Sequence, residues 1–387
     1  MPHTITDIQQ KLDALGDRPD AAAQRLDLSI QLADLLADRD VARAEALGRD
    51  ISRLARQLGS AAGEAHAVRI EAVLRYRAAD YIPAMALALE ARDLFQRCGD
   101  RPGRASALAL MASIKFKTGD FPGSRELNEA ALGLFQQDGD GAGVIRSWNA
   151  IGACLERLGD TAAALDHYRK ALRLATETGD VRNQANSHLN IGGIHVIRDD
   201  PPQALQAYQR GLELFRQAGD LRGQAYVLNN IGGIHLNRGE LPQALDCYQR
   251  GMAAGRAASD PHIEMVMLLN IGSVQEQLGD LAQALEQNRR GFDMALENEE
   301  RHFQVAAHVN LARIYGTMGN DALAVENLHE AMELADLIQS KDMSLRARRE
   351  LARSYQRLGK PEVAEGYRRE CERLEGELAG GVTEGGG

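Results

Sequence analysis

Apolar residues along this chain recur at three- and four-residue steps, in blocks that break at regular intervals. One block carries Ile191, Ile194 and Val196, and the next carries Ala204, Leu205, Tyr208, Leu212 and Phe215. That step places side chains on one stripe of an α-helix. Between blocks stand short polar turns, at Gly119-Asp120, Gly159-Asp160, Asp199-Asp200, Gly239-Glu240, Gly279-Asp280, Gly319-Asn320 and Gly359-Lys360. A second set falls midway, at Gly99-Asp100, Gly139-Asp140, Gly179-Asp180, Gly219-Asp220 and, more loosely, Ser259-Asp260. The turns keep a forty-residue register from about residue 79 to 360 with no insertion or deletion. Each forty-residue row therefore predicts two helices.

The turn residues carry matched stop and start signals. A glycine adopts the left-handed conformation that satisfies the last carbonyls of a helix. The following aspartate accepts hydrogen bonds from the free N–H groups of the next helix. Pro122, Pro202, Pro242 and Pro361 come one or two places later, in a first turn that tolerates a missing N–H. At the N-terminus, the Thr6-to-Gln9 spacing predicts a capping box on a short helix ending at Leu15.

Small residues form three columns at the same interval. One reads Ala112, Gly152, Gly192, Gly232, Gly272, Ala312, Ala352, and a second reads Ala84, Ser124, Ala164, Ala204, Ala244, Ala284, Ala324, Ala364. The third runs Ala91, Ala131, Ala171, Gly211, Gly251, Gly291, Ala331. A glycine inside a helix costs about 1 kcal/mol against alanine, so four consecutive rows with glycine imply close helix–helix approach. The prediction is an all-α stack in which each helix pair buries its stripe on its neighbours.

These columns resemble the tetratricopeptide repeat, in which large and small residues on the first helix meet Ala, aromatic and Ala on the second. Trp148, Gly152, Leu155, Ala164, Tyr168 and Ala171 match that motif in one row; Ile191, Gly192, Ala204, Tyr208 and Gly211 match it in the next. The forty-residue spacing is most similar to the long-repeat subgroup of kinesin light chain, the LGN/Pins adaptors, and bacterial peptide-responsive regulators and sensor N-termini. At the ends the match weakens, with Leu32, Gly48 and Ile51 in place of the small or aromatic types. The resemblance implies a right-handed α-α superhelix of about nine repeats. They begin near residues 24, 64, 104, 144, 184, 224, 264, 304 and 344, after a cap at 1–23 and before a disordered Gly-rich tail at 376–387.

Composition narrows the function. The chain has 387 residues, a formal net charge of −10 and only 4% aromatic residues. An acidic chain is poorly suited to nucleic acid, where phosphate neutralisation needs clustered cations. No apolar run reaches the length of a membrane span. Cys98, Cys154, Cys247 and Cys371 are too widely separated for a disulfide framework or a metal motif; a reducing, cytoplasmic setting is the simplest expectation. His195 and His235 share a column with Leu155, Gln275 and Tyr315, so packing is favoured over metal ligation. Asp138 to Gly143 has the look of a calcium loop, but Ala142 and Asn149 stand where ligands are required. Trp148 reads as core. No catalytic motif stands out, and the expectation is a non-enzyme with no cofactor and no metal.

One polar column carries a mechanism. Asn190, Asn230, Asn270 and Asn310 each precede the apolar Ile or Leu of a first helix. If the apolar neighbours face inward, these asparagines turn to the concave wall. An amide both donates and accepts, so it can pair with the backbone of an extended peptide whatever its side chains. Flanking candidates are Asn149, Tyr226, Asn229, Asn237, Ser273, Gln277 and Arg313. In the chaperone adaptors of this superfamily a carboxylate clamp uses Lys, Asn and Arg. Asn310 and Arg346 fit two of its places, but Leu269, Ser273 and Glu350 do not fit the others. Arg346, Arg348, Arg349, Arg353 and Arg357 are interleaved with acids and read as a solvated capping face. The expected function is a scaffold holding an extended peptide of a protein partner. The alternatives are a peptide-responsive regulator of a signalling enzyme or transcription factor acting in trans, or a homo-oligomeric array.

Overall fold

The computed structural model describes residues 5–16, 18–37 and 40–383, with side chains in the last helix up to Glu377. The chain divides into two compact units, 1–200 and 201–387. The first holds α1 (Ile5–Leu15), a 3-10 turn (Pro19–Ala21), α2 (Ala22–Leu36), α3 (Val41–Leu58), α4 (Ala61–Arg77) and α5 (Tyr81–Cys98). It continues through α6 (Arg101–Lys117), α7 (Phe121–Asp138), α8 (Gly141–Arg157), α9 (Thr161–Glu177) and α10 (Val181–Ile197). The second holds α11 (Pro201–Gln217), α12 (Leu221–Asn237), α13 (Leu241–Ala257), α14 (Pro261–Gln277) and α15 (Leu281–Glu297). Then follow α16 (Arg301–Thr317), α17 (Asp321–Leu337), α18 (Lys341–Arg357) and α19 (Pro361–Thr383). Among the described residues there is no strand, and no helix is long and apolar enough to cross a membrane.

The predicted punctuation operates as chemistry. Gly119 takes φ +85° and Asp120 follows as the cap, accepting from the Gly123 N–H at 2.9 Å. Lys115 approaches the same carboxylate at 2.5 Å; its hydrogen bond, then that of Gly123, holds the Asp120 carboxyl below its ordinary range. Asp140, Asp160, Asp180, Asp220, Asp260 and Asp280 cap their helices in the same way. The Asp138–Gly143 segment is thus a helix stop followed by a capped start. Where glycine is missing the left-handed turn persists at a cost, with Ala79, Asp199, Ser259, Glu299 and Gln339 at φ between 51° and 57°.

Close approach explains the glycine column. A β-carbon on Gly152 would lie 2.5 Å from the Tyr168 ring, and one on Gly232 would lie 2.7 Å from Tyr248. Tyr168 and Tyr248 are buried. The Tyr168 hydroxyl donates to Glu156 at 3.0 Å, and burial pushes its pKa well up. Trp148 packs against the Ala131, Phe135 and Val144 cluster and against Ile145 and Ala171, as a core residue.

Three expectations need correction. Thr6 lies inside α1, which begins at Ile5, so it is a first-turn residue rather than the cap; residues 1–4 lie outside the described set. Val196 is 44% exposed, because the end of α10 turns that position out of the stripe. Helix α19 runs on to Thr383 and takes in 376–383, assigned above to a disordered tail; its alternation of Glu, Arg and Leu to Leu378 keeps helical spacing. The remainder of that tail, 384–387, lies outside the described residues.

Candidate functional site

Within each unit most successive first helices touch each other directly: α2–α4, α4–α6 and α8–α10 in one, α12–α14, α14–α16 and α16–α18 in the other. Successive second helices do not meet on that scale. The first helices therefore line the tighter, inner wall, the wall on which the asparagine column was expected.

On that wall in the first unit, the Ser187 hydroxyl donates to the Asn149 side chain at 3.3 Å, joining α10 to α8. Asn190, one turn along from Ser187, is half-buried. Further along, Arg69 of α4 reaches Asp34 of α2 at 2.8 Å while itself buried.

The second unit carries a denser polar web. Asn270 of α14 donates from Nδ2 to Asn229 Oδ1 of α12 at 2.8 Å, and Asn229 approaches Asn230 at 3.5 Å. All three are half-buried. Each such contact occupies one of the several hydrogen-bonding positions of an amide. One helix further, Arg313 of α16 donates to Ser273 at 3.0 Å and to Glu276 at 2.6 Å, both on α14. The Glu276 side chain is only 9% exposed, whereas that of Arg313 is 36% exposed. The guanidinium thus stays at the wall with its counter-ion beneath. A cavity of about 210 Å³ opens beside it, lined by Leu328, Glu350, Ser354 and Arg357.

Of the candidates, the structure brings together Asn229, Asn230 and Asn270, and separately Ser273 and Arg313. Tyr226 stands 46% exposed on α12, its phenol pushed above the usual range by burial and then by Asp260. Asn237 and Gln277 are exposed at the last residues of α12 and α14. Asn310 corrects the expectation. It is 7% exposed and donates to Asn288 of α15 at 3.0 Å, wedged between helices. Glu276 was missed; the signal was a carboxylate three residues short of the repeat interval from Arg313.

The remaining titratable candidates are structural. His235 meets Glu240 at 2.6 Å and His195 meets Asp200 at 3.9 Å, each tying the end of a first helix to the turn that follows. Arg348 lies between Asp336 and Glu370, Arg349 meets Glu375, Arg353 meets Glu350 and Arg357 meets Asp321. Four of the five arginines of α18 are thus matched by acids. Among the described residues no three His, Cys, Asp or Glu side chains are grouped to hold a metal ion.

The sequence matches the family model described as Tetratricopeptide repeat over residues 103–177, 143–217 and 223–297. A second model, Anaphase-promoting complex subunit 5, matches residues 271–345. No curated protein sequence matches the chain significantly. Among solved structures, a Rap protein complexed with Competence and Sporulation Factor superposes with a TM-score of 0.65 at 15% identity, over 92% of this chain and 99% of that one. The apo form of the quorum sensor NprR from B. thuringiensis gives 0.63 at 15% identity, over 90% and 97%. A signal transduction ATPase with a tetratricopeptide repeat sensor from Pyrococcus horikoshii gives 0.61 at 15% identity, over 93% of this chain and 54% of that one. At these identities the likeness is one of fold.

Proposed function

We propose that this chain, a tetratricopeptide-repeat protein, works without catalysis by holding an extended peptide segment of a partner protein against its first-helix wall, in a cytoplasmic setting. The observation that carries this reading is the amide group of Asn229, Asn230 and Asn270, which bridges α12 and α14 while remaining half-exposed. Amides already anchored to each other keep their orientation, so a bound strand meets fixed donors and acceptors and less ordering entropy is lost. Neighbouring first helices stand about 10 Å apart and an extended strand rises about 3.3 Å per residue. Successive rungs therefore address about every third residue of the strand. Ser273, Arg313, Tyr226, Gln277 and Asn237 flank these rungs. Asn149 and Asn190 extend the same reading to the first unit, and Asn310 is withdrawn from it.

The test is affinity capture from the source cell, followed by the same capture with Asn230→Ala plus Asn270→Ala. The double variant loses the main partner while its thermal melt by circular dichroism stays within a few degrees. Undiminished capture contradicts the proposal.

A second reading is a regulator that changes state on binding its peptide and acts in trans on a signalling enzyme or transcription factor. The fold shared with a quorum sensor and with a Rap protein in complex with its factor supports it. It requires a change in oligomeric state when the captured peptide is added, which light scattering reads directly; an unchanged mass leaves the simple scaffold.

A further inference from the structure

A large surface cavity lies in the first unit, away from the amide group, along the seam between α3 and α4. It holds about 1030 Å³ and runs along α3 from Val41 to Gln57 and along α4 from Ala67 onward. Its floor is apolar, made by the buried Ala67, Ile70 and Leu74; Val41 stands exposed at one end, and Gly48 is part of the lining. The opening has a sequence cause. Gly48 occupies the second-helix column that elsewhere carries Ala88, Asn128, Tyr168, Tyr248, Asn288 and Leu328. A β-carbon there would touch only Ile70, at 3.5 Å. The seam lacks the side chain that fills this position in the later repeats.

The rim has a sign. Arg49, Arg53 and Arg56 stand at i, i+4 and i+7 on α3, one stripe of that helix, and Arg75 and Arg77 stand on the α4 side. All five are exposed. Against them the lining holds two carboxylates, Glu45 and Glu71, so five positive minus two negative charges leave +3 in a chain whose formal charge is −10. Arg53 also meets Asp50 at 2.7 Å and Arg75 meets Asp80 at 3.6 Å, but all four side chains are largely exposed, and such pairs exchange readily for another carboxylate.

We infer that the α3–α4 seam is a second docking site, and that its occupant is an acidic amphipathic helix of a partner protein. The apolar floor favours aliphatic side chains. The exposed arginines on both sides match carboxylates flanking an apolar stripe. From Val41 to Gln57 the groove follows α3 for about 24 Å at 1.5 Å per residue, the length of an occupant of about 16 residues. Nucleic acid would satisfy the arginines and leave the floor uncovered. This site is independent of the peptide-holding reading, because its residues lie on α3 and α4 and none belongs to the amide wall of the second unit.

The probe is a fluorescein-labelled acidic peptide of about 18 residues, with leucines at helical i, i+4, i+7 spacing and glutamates elsewhere, titrated into the full chain and read by anisotropy. Saturable binding is expected, weakened at least about tenfold by Arg49→Glu with Arg53→Glu and Arg56→Glu, and weakened by added salt. Gly48→Leu, which fills the floor without changing charge, is expected to weaken it to a similar degree; it keeps the inference testable if charge reversal unfolds α3. Absence of saturable binding overturns the inference, as does binding by both variants as tight as that of the parent chain. Equal affinity for a lysine version of the peptide also overturns it, as does tighter binding of a single-stranded RNA, or of an anionic vesicle, that competes the peptide away. Self-association of the chain that Gly48→Leu abolishes, with no peptide binding, reassigns the seam to a second copy and also overturns it.

Discussion

The α3–α4 seam and the α15–α16 seam occupy the same place in the repeat and are filled in opposite ways. In the first, Gly48 leaves space and Ile70, 1% exposed, closes it from α4 with hydrocarbon. In the second, Asn288 and Asn310 stand in those two columns. Asn288 is fully buried, donating to the Ala284 carbonyl at 2.8 Å and accepting from Asn310 at 3.0 Å. A buried amide is tolerable only when its hydrogen bonds are made, and this pair makes them. One backbone position thus serves as an open apolar floor or as a sealed polar bond, and the sequence column by itself does not say which.

The sharpest test of that contrast is a small substitution of opposite sign at Gly48 and against Asn288. Gly272→Ala drives a β-carbon into the Asn288 amide, which is held from behind. It is expected to cost about 2 kcal/mol, as overpacking does, read as a lower urea midpoint. Asn310→Ala comes next. It leaves Asn288 Oδ1 buried without its donor and is expected to cost about 1–2 kcal/mol. Combining Asn310→Leu with Asn288→Ala removes both polar groups and is expected to return stability to within about 1 kcal/mol of the parent. If the double variant is as unstable as Asn310→Ala, the seams are not equivalent positions. Gly48→Ala should stabilise by up to about 1 kcal/mol, since helix propensity improves and only an ordinary contact with Ile70 forms. The smallest effect is expected at the turns: Ala79→Gly relieves a left-handed alanine at φ 57° and should raise stability by about 0.5–1 kcal/mol.

The architecture was legible because its signals are local and repeated. Left-handed glycines, capping aspartates and small-residue columns each act within one or two turns of helix, and the forty-residue register multiplies them. The departures from glycine at Asp199 and Ser259 kept the left-handed turn, and at Ser259 the helix that follows is capped by Asp260. The site was legible only in outline. Asn229 and Asn270 lie 41 residues apart and Arg313 and Glu276 lie 37 apart, so their pairing depends on how one first helix is rotated against the next. A few tens of degrees decide whether an asparagine at the edge of an apolar stripe reaches the wall, as Asn270 does, or the seam, as Asn310 does. Which it reaches depends in turn on whether the facing second-helix residue, such as Asn288, offers it a partner.

Backbone reading by the α12 and α14 amides is tested most directly by the affinity of the captured peptide when its own backbone is N-methylated one position at a time. Each methyl removes one N–H donor and leaves the side chains as they were. The account predicts losses of at least about tenfold that recur at roughly three-residue spacing and disappear in the Asn230→Ala, Asn270→Ala protein. A flat profile, or an identical profile in that double variant, contradicts it.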